Sequence, residues 1–500
     1  MNVKQLLKSL LCITLLTVFA SAEQFTEKTG ISLTGVYVGS VAWGDYDNDG
    51  DLDILLTGYD SNENGISKIY RNNGDNTFTE QTGISLTGVY YSSVAWGDYD
   101  NDGDLDILLT GIDSNYNRIS KIYRNNGDNT FAEQTGISLT GVYRSSVAWG
   151  DYDNDGDLDI LLTGYDSNEN EISKIYRNNG DNTFTEQTGI SLTGVYDGSV
   201  AWGDYDNDGD LDILLTGSDN INYISTISKI YRNNGDNTFA EQTGISLTGV
   251  NFSSVAWGDY DNDGDLDILL TGRSGSGYFS KIYRNNNLTP NSAPTAPSGL
   301  SASTTGSDVT FSWNKSSDAE TPQNGLSYNL YVGTSSHNGQ VKSPMSDISS
   351  GFRRVVQIGN ANQNNSWTFK NLPGGTYYWS VQAIDNSYEG STFASEKTFT
   401  NIVIIEEVTS PIPSVYSLAQ NYPNPFNPTT TILYQLPKST YVKLSIYDIT
   451  GKLVETLVNE HKNAGYYSVN WDATNVSSGI YIYKIDASNF SSVKKCLIVK

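Results

Sequence analysis

The chain has almost no cysteine. Of two in 500 residues, Cys12 lies in an N-terminal apolar run and only Cys496 remains beyond it. No disulfide can form within the mature chain, so its stability must come from packed cores and from metal. Histidine is as scarce: His337 and His461 both fall outside the repeated half of the sequence, without ligand or nucleophile types around them. Nucleophilic catalysis needs a base beside Ser or Cys, and zinc-hydrolase spacing is missing. The chain therefore reads as non-catalytic. Basic residues number 30 against 57 acidic, for a formal charge of −27. With no Lys/Arg stripe to contact phosphates, nucleic acid is not an expected partner. Long apolar runs are missing too. The one stretch, Ser9 to Ala20, follows a basic start and exits through Ala20-Ser21-Ala22. It is too short to span a bilayer and reads as a secretory signal peptide over 1–22, with no transmembrane segment expected.

What the sequence does have is one nine-residue stretch, Asp45-Tyr46-Asp47-Asn48-Asp49-Gly50-Asp51-Leu52-Asp53. It returns letter for letter at 98–106, 151–159, 204–212 and 259–267. Carboxylates at positions 1, 3, 5 and 9 with Gly at 6 describe a loop around a hard cation, and position 7 can add its backbone carbonyl. The side-chain ligands expected are Asp45, Asp47, Asp49 and Asp53; Asp98, Asp100, Asp102 and Asp106; Asp151, Asp153, Asp155 and Asp159; Asp204, Asp206, Asp208 and Asp212; and Asp259, Asp261, Asp263 and Asp267. Position 7 is Asp51, Asp104, Asp157, Asp210 or Asp265. Five Ca²⁺ sites are expected. An EF-hand would need Glu at position 12, where this chain has Leu56, Leu109, Leu162, Leu215 and Leu270, and helices where these flanks alternate like strands. The alternative is an acidic turn that binds nothing. Against it, five clustered carboxylates repel one another without a cation.

From Phe25 to Asn287 the loops recur at spacings of 53, 53, 53 and 55 residues. Each unit reads as four short strands: Ser40–Gly44, Leu52–Thr57, Ser67–Arg71 and Thr77–Glu80, with the turn Asn72-Asn73-Gly74-Asp75 before the last. Short strands, Asn-Gly turns and a period near 50 residues predict propeller blades, which cannot fold singly and must stack. The expected fold is all-β: a five-bladed calcium-binding β-propeller over 23–288, followed by two β-sandwich domains. A fourth-type strand, Phe25-Thr26-Glu27, precedes the first unit, and the last unit stops after its third. It is expected to complete the last blade and close the ring. A spiral, or a larger assembled ring, is the alternative.

The segment Trp43 to Ile54 resembles the FG-GAP/VCBS repeat of integrin α-subunit heads and many secreted bacterial proteins. That resemblance implies Ca²⁺ held by the Asp residues at loop positions 1, 3, 5 and 9. After a Pro-containing linker at 289–298, residues 299–400 carry Val309-Thr310-Phe311-Ser312-Trp313 and Tyr377-Tyr378-Trp379-Ser380-Val381. With Trp313 as core tryptophan and Tyr377 as a tyrosine corner, this stretch resembles a fibronectin type III sandwich. A second linker spans 401–413. The final region, 414–500, holds Tyr422-Pro423-Asn424-Pro425-Phe426-Asn427-Pro428, Val442–Asp448 and Ser478–Tyr483. It resembles the type A sorting domain of the type IX secretion system. This implies contact with that machinery and a secreted or outer-surface location, often with tail cleavage and attachment of the body to surface glycolipid.

Strand alternation puts the identical calcium loops and Asn-Gly turns on one face of the array. Nearly all variation falls on the other, where Tyr91, Tyr116, Arg118, Arg144 and Tyr223 combine flat apolar surface with hydrogen-bond donors. These five are the expected ligand residues, for a glycan or a surface protein. Docking on the calcium face is the rival. The function expected is non-catalytic adhesion or binding; the alternative is a polysaccharide-degrading lyase or glycosidase sited on the propeller.

Overall fold

The computed structural model describes residues 27–220, 225–275, 277–287, 289–353, 355–370, 372–401 and 413–499. Residues 27–34 belong to a small separate unit, in which the Ile31 N–H donates to the Lys28 carbonyl (2.9 Å). The rest is all-β, without a helix among the described residues.

The first blade is an antiparallel sheet of β1 (Val41–Gly44), β2 (Asp53–Tyr59), β3 (Gly65–Asn72) and β4 (Phe78–Glu80), paired in sequence order. Its second strand carries Ile54-Leu55-Leu56, a continuous apolar run rather than an alternating one. Such a run suits a strand covered on both faces, and in the second to fourth blades its counterparts, such as Ile107-Leu108-Leu109, are fully buried between neighbouring blades. Three further blades repeat the four-strand order, and the fifth has three strands, Asn251–Gly258, Asp267–Ser274 and Gly277–Tyr283. Phe25 and Thr26 of the strand expected to complete that blade lie outside the described residues.

Each blade-to-blade junction is built from the same contacts. Gly44 abuts the Trp96 indole so closely that a Cβ would lie 2.7 Å from it, and Gly97, Gly150 and Gly203 face Trp149, Trp202 and Trp257 in the same way. Asn48 Nδ2 donates to Asp104 Oδ1 (2.7 Å), as Asn101 does to Asp157, Asn154 to Asp210 and Asn207 to Asp265. In return Asn125 Nδ2 donates to the Tyr46 carbonyl (2.8 Å), as Asn178 does to Tyr99, Asn233 to Tyr152 and Asn285 to Tyr205.

Five blades in a ring would make each contact five times, but each occurs four times. A Cβ on Gly258 would meet nothing within 4 Å. No hydrogen bond of the Asn262 side chain occurs among the described residues, and Asn72 Nδ2 reaches only the Leu52 carbonyl of its own blade. Trp43 is 62 % exposed where Trp202 and Trp257 are buried. Among the described residues the array is thus an open arc: no contact of the junction type joins the fifth blade to the first, and the strand expected to close the ring lies largely outside those residues.

The middle region is a sandwich of two three-stranded sheets. One is Ser298–Thr305, Asp308–Asn314 and Ser366–Phe369; the other is Ser327–Gly333, Gly375–Ile384 and Lys397–Asn401. Phe311, Trp313, Trp367 and Trp379 fill its core, and the Tyr377 hydroxyl donates to the Pro373 carbonyl (2.7 Å). The stretch 289–298, expected as a linker, is strapped down: Pro294 and Pro297 are buried, Asn291 Nδ2 donates to Asp385 (2.8 Å) and the Thr295 N–H to the Ser317 carbonyl (2.9 Å). Most of the second linker, 402–412, lies outside the described residues. The C-terminal region is a second sandwich of seven strands around Trp471, Tyr483 and Ile446. Cys496 is buried there, which pushes its thiol up to about 12.

Candidate metal centre and the opposite face

The acidic loops follow β1 and bend back into β2. In the first three blades, oxygens of positions 1, 3 and 9 lie within 4.8 Å of one another: Asp45, Asp47 and Asp53, then Asp98, Asp100 and Asp106, then Asp151, Asp153 and Asp159. In the last two blades the close trio is positions 1, 3 and 5: Asp204, Asp206 and Asp208, then Asp259, Asp261 and Asp263. Position 1 is tied to the loop backbone, as where Asp98 accepts from the Asp102 and Gly103 N–H groups (3.0 and 2.9 Å). Position 9 accepts on both oxygens: Asp106 from the Tyr99 N–H (3.1 Å) and the Asn125 N–H (2.8 Å). Position 7 turns its side chain away, and Asp104, Asp157, Asp210 and Asp265 serve the blade junctions with it.

An arginine that the sequence reading passed over completes each loop. Arg124 Nε lies 2.5 Å from Asp100 and its Nη2 2.8 Å from Asp102. Arg71, Arg177, Arg232 and Arg284 pair with loop positions 3 and 5 of their own blades in the same way. Its signal was legible, because each follows Ile-Tyr at the end of the third strand. The loop acids are therefore not unpaired, but the neutralisation is partial. The arginine takes Oδ2 of position 3, while Oδ1 of Asp47, Asp100, Asp153 and Asp206 is buried without a hydrogen-bond partner. A buried carboxylate oxygen with no donor is costly. Burial, with the like charge of Asp49 behind it, pushes Asp47 up to about 7, and burial pushes Asp53 up to about 8. A divalent cation between positions 1, 3 and 9 would meet the orphaned oxygen and hold all three groups ionised.

The middle sandwich sits on this loop face. Lys342 Nζ lies 3.2 Å from Asp45 Oδ2, with both side chains buried, and 3.6 Å from the centre of the Trp367 ring. Asn364 Nδ2 donates to Asp98 Oδ2 (2.7 Å), and Lys370 Nζ to the Gly127 carbonyl (2.6 Å) beside Asp104. Asn386 Nδ2 donates to Asn154 and to the Gly209 carbonyl, and the Tyr388 hydroxyl to the Trp202 carbonyl. Four of the five blades are held this way. The polar stretch 333–365 gave no sequence signal for it beyond a few basic residues.

The opposite face is shaped by a β-bulge at the start of each blade. Val38, Tyr91, Arg144, Asp197 and Phe252 occupy the same repeat position, each with φ between 45° and 50°; in the second to fifth blades the strand register shifts there. Left-handed backbone is rare for non-glycine residues and persists where surroundings fix it. These bulges re-aim one side chain per blade. Tyr91 N–H donates to the Val38 carbonyl (2.8 Å), the Arg144 guanidinium stacks on Tyr91 (5.1 Å), and Arg144 pairs with Asp197 (2.8 Å). Alongside, Arg118 stacks on Tyr143 (4.8 Å), donates to the Ser167 carbonyl and pairs with Glu169. Tyr59, Tyr90, Tyr91, Tyr143, Tyr165 and Tyr196 make a file of ring contacts across four blades. Tyr90, Tyr165 and Tyr196 of this file are buried, and Tyr59, Tyr91 and Tyr143 are half-buried; of the expected ligand residues, Tyr91, Arg118 and Arg144 thus join one ring network, though both arginines already hold carboxylates. Tyr116 stands 81 % exposed at a bend, and Tyr223 lies outside the described residues.

Comparison with known proteins agrees with the blade pattern. FG-GAP-like repeats match residues 45–109, 108–162, 159–215 and 218–270. The repeats are FG-GAP-like. The secretion system C-terminal sorting domain matches residues 420–500, and this type IX sorting domain marks a secreted or outer-surface protein. No helix among the described residues is long and apolar enough to cross a membrane. A curated relative, cartilage acidic protein 1 of Xenopus tropicalis, is 27 % identical over 169 residues, and the match spans 31 % of this chain and 25 % of that protein. Among solved structures, PorZ, a surface component of the type IX secretion system of Porphyromonas gingivalis, is 12 % identical, with 90 % of this chain and 58 % of that one covered and a TM-score of 0.24. An arabinoxylan arabinofuranohydrolase from Bacillus subtilis is 10 % identical, with 93 % and 96 % covered and a TM-score of 0.29. TM-scores this low carry no argument.

Proposed function

We propose that this protein is a calcium-stiffened, non-catalytic binding or adhesion module of the cell exterior, which takes a glycan or a surface protein on its variable face. The observation that carries the reading is the occupation of the other face. The middle sandwich covers the calcium loops of four blades, so the face with the aromatic file is the one left open to a partner. Flat rings backed by polar groups suit sugar faces and protein loops. Each acidic loop holds one Ca²⁺, through positions 1, 3 and 9 in the first three blades and through positions 1, 3 and 5 in the last two; the orphaned Oδ1 of position 3 in the first four loops supports this assignment. The middle sandwich is read as fibronectin type III-like on its core Trp313 and the Tyr377 corner, and it serves as a brace. After export the sorting domain is removed and the body is attached to surface glycolipid.

Glycan-array binding of the secreted chain, repeated with Tyr91→Ala and Tyr116→Ala, tests the face assignment. Binding should fall in both variants while their melting curves stay in place. Undiminished binding in both would move the site elsewhere.

A further inference from the structure

The blade array ends in two surfaces that are halves of one junction. At the fifth-blade end, Leu269 and Ile282 lie open to solvent although the matching residues of the middle blades, Leu161 and Ile175, are buried. There Trp257, Gly258, Leu269 and Ile282, with Phe352 and Val356 of the middle sandwich, line a cavity of about 820 Å³. At the first-blade end, Val41 is 66 % exposed where Val94, Val147 and Val200 are buried, and Trp43 stands beside it. Apolar patches of this kind are rare on monomers and mark association sites.

We propose that these ends bind each other between chains, the first blade of one copy seating on the fifth blade of the next. The four junctions inside the chain are the template. Within the chain, Gly203 receives the Trp257 indole; Gly258 is shaped to receive Trp43 of a second copy. Asn207 donates to Asp265 within the chain, and Asn262 would donate to Asp51 across the new junction. Asn285 donates to the Tyr205 carbonyl, and Asn72 would reach that of Tyr260. Apolar and polar groups are thus matched on both sides, without any new type of contact.

A second copy is favoured over the chain's own first blade because the middle sandwich holds both ends. Its Lys342 is buried on Asp45 of the first blade, while its Val356 and Tyr388 pack into the apolar cluster that the fourth and fifth blades share. One rigid domain bound at both ends fixes the gap between them. The contact is heterologous, so it leaves a free end on each side and the assembly grows beyond a dimer.

The test uses the full secreted chain in calcium, with Trp43→Arg and Gly258→Arg as variants. Neither change crowds the isolated chain, since Trp43 is exposed and the space at Gly258 is open; melting curves equal to wild type verify this. In sedimentation velocity the wild-type mass should rise past that of a dimer with concentration, and each variant should stay monomeric. An equimolar mixture of the two variants should give a dimer and stop there, because one intact end of each remains. A wild-type chain that is monomeric at every soluble concentration overturns the proposal. So does self-association that survives either variant, which would place the contact elsewhere on the molecule.

Discussion

The two faces of the blade array differ in how they use the same repeat. On the loop face the nine-residue motif is identical five times, and a second domain sits on it. On the bulge face the corresponding residues are Val38, Tyr91, Arg144, Asp197 and Phe252, no two alike, held by one shared backbone conformation. Side chains define the first face and are interchangeable on the second. On the proposed function the difference divides stability from recognition, and it can be broken or sharpened by experiment.

Removal of calcium should strike the loop face hardest. At an extracellular-type affinity of about 0.1 mM and free calcium of about 2 mM, each site contributes about 1.8 kcal/mol, or about 9 kcal/mol for five. Chelation should lower the calorimetric melting temperature of the whole chain by an amount that few single mutations reach. An unchanged melting temperature would show that the arginines alone satisfy the loops.

Protons provide the next largest effect. In the metal-free protein Asp47 titrates at about 7 and Asp53 at about 8, against about 3.9 for an unfolded Asp. The folded chain therefore retains protons at these two groups that the unfolded chain has released, so their contribution to stability is fully present below about pH 4 and is lost as pH rises through about 8. Bound calcium would hold these groups ionised and should flatten or reverse that slope. Denaturant titrations across this range, with and without calcium, check the sign.

In the metal-free protein, substituting Lys342→Met should cost about 3–5 kcal/mol, because it leaves the Asp45 carboxylate buried without any cation. The loss should appear as separate unfolding of the middle sandwich and the blades, where the wild type is expected to unfold as one unit. Asp45→Asn added to Lys342→Met should restore part of it. A single cooperative transition in Lys342→Met would show that the brace does not depend on this pair.

The smallest effect belongs to the bulge face. Tyr116→Ala removes an exposed ring and should change stability by less than about 0.5 kcal/mol while weakening ligand binding. A large stability change there would erase the division between the faces.

Much of this was legible in the sequence. Period, turn chemistry and the apolar run Ile54-Leu55-Leu56 describe a single blade, and those signals are local. The loop acids were legible for the same reason, as was the seven-stranded C-terminal sandwich. The open seam was not. Gly258 and Trp43 carry the same letters as Gly203 and Trp257, and an identical repeat cannot encode where its array stops or at what angle its ends lie. Docking of Lys342 on Asp45 was hidden as well, since one lysine in a polar stretch becomes informative only when the fold brings it 297 residues back to a buried carboxylate. The arginines were present in every repeat, but their pairing depends on the strand hairpin that returns Arg71 beside Asp47 and Asp49.

A closed ring fixes its own membership, since one blade too many or too few strains every joint. The open seam lifts that constraint. Here the middle sandwich takes the ring's place: Lys342 is buried on Asp45 of the first blade and Val356 and Tyr388 pack at the far end, so a blade gained or lost would break one of the two attachments. Blade number is thus set by the domain that spans the array rather than by closure of the array on itself.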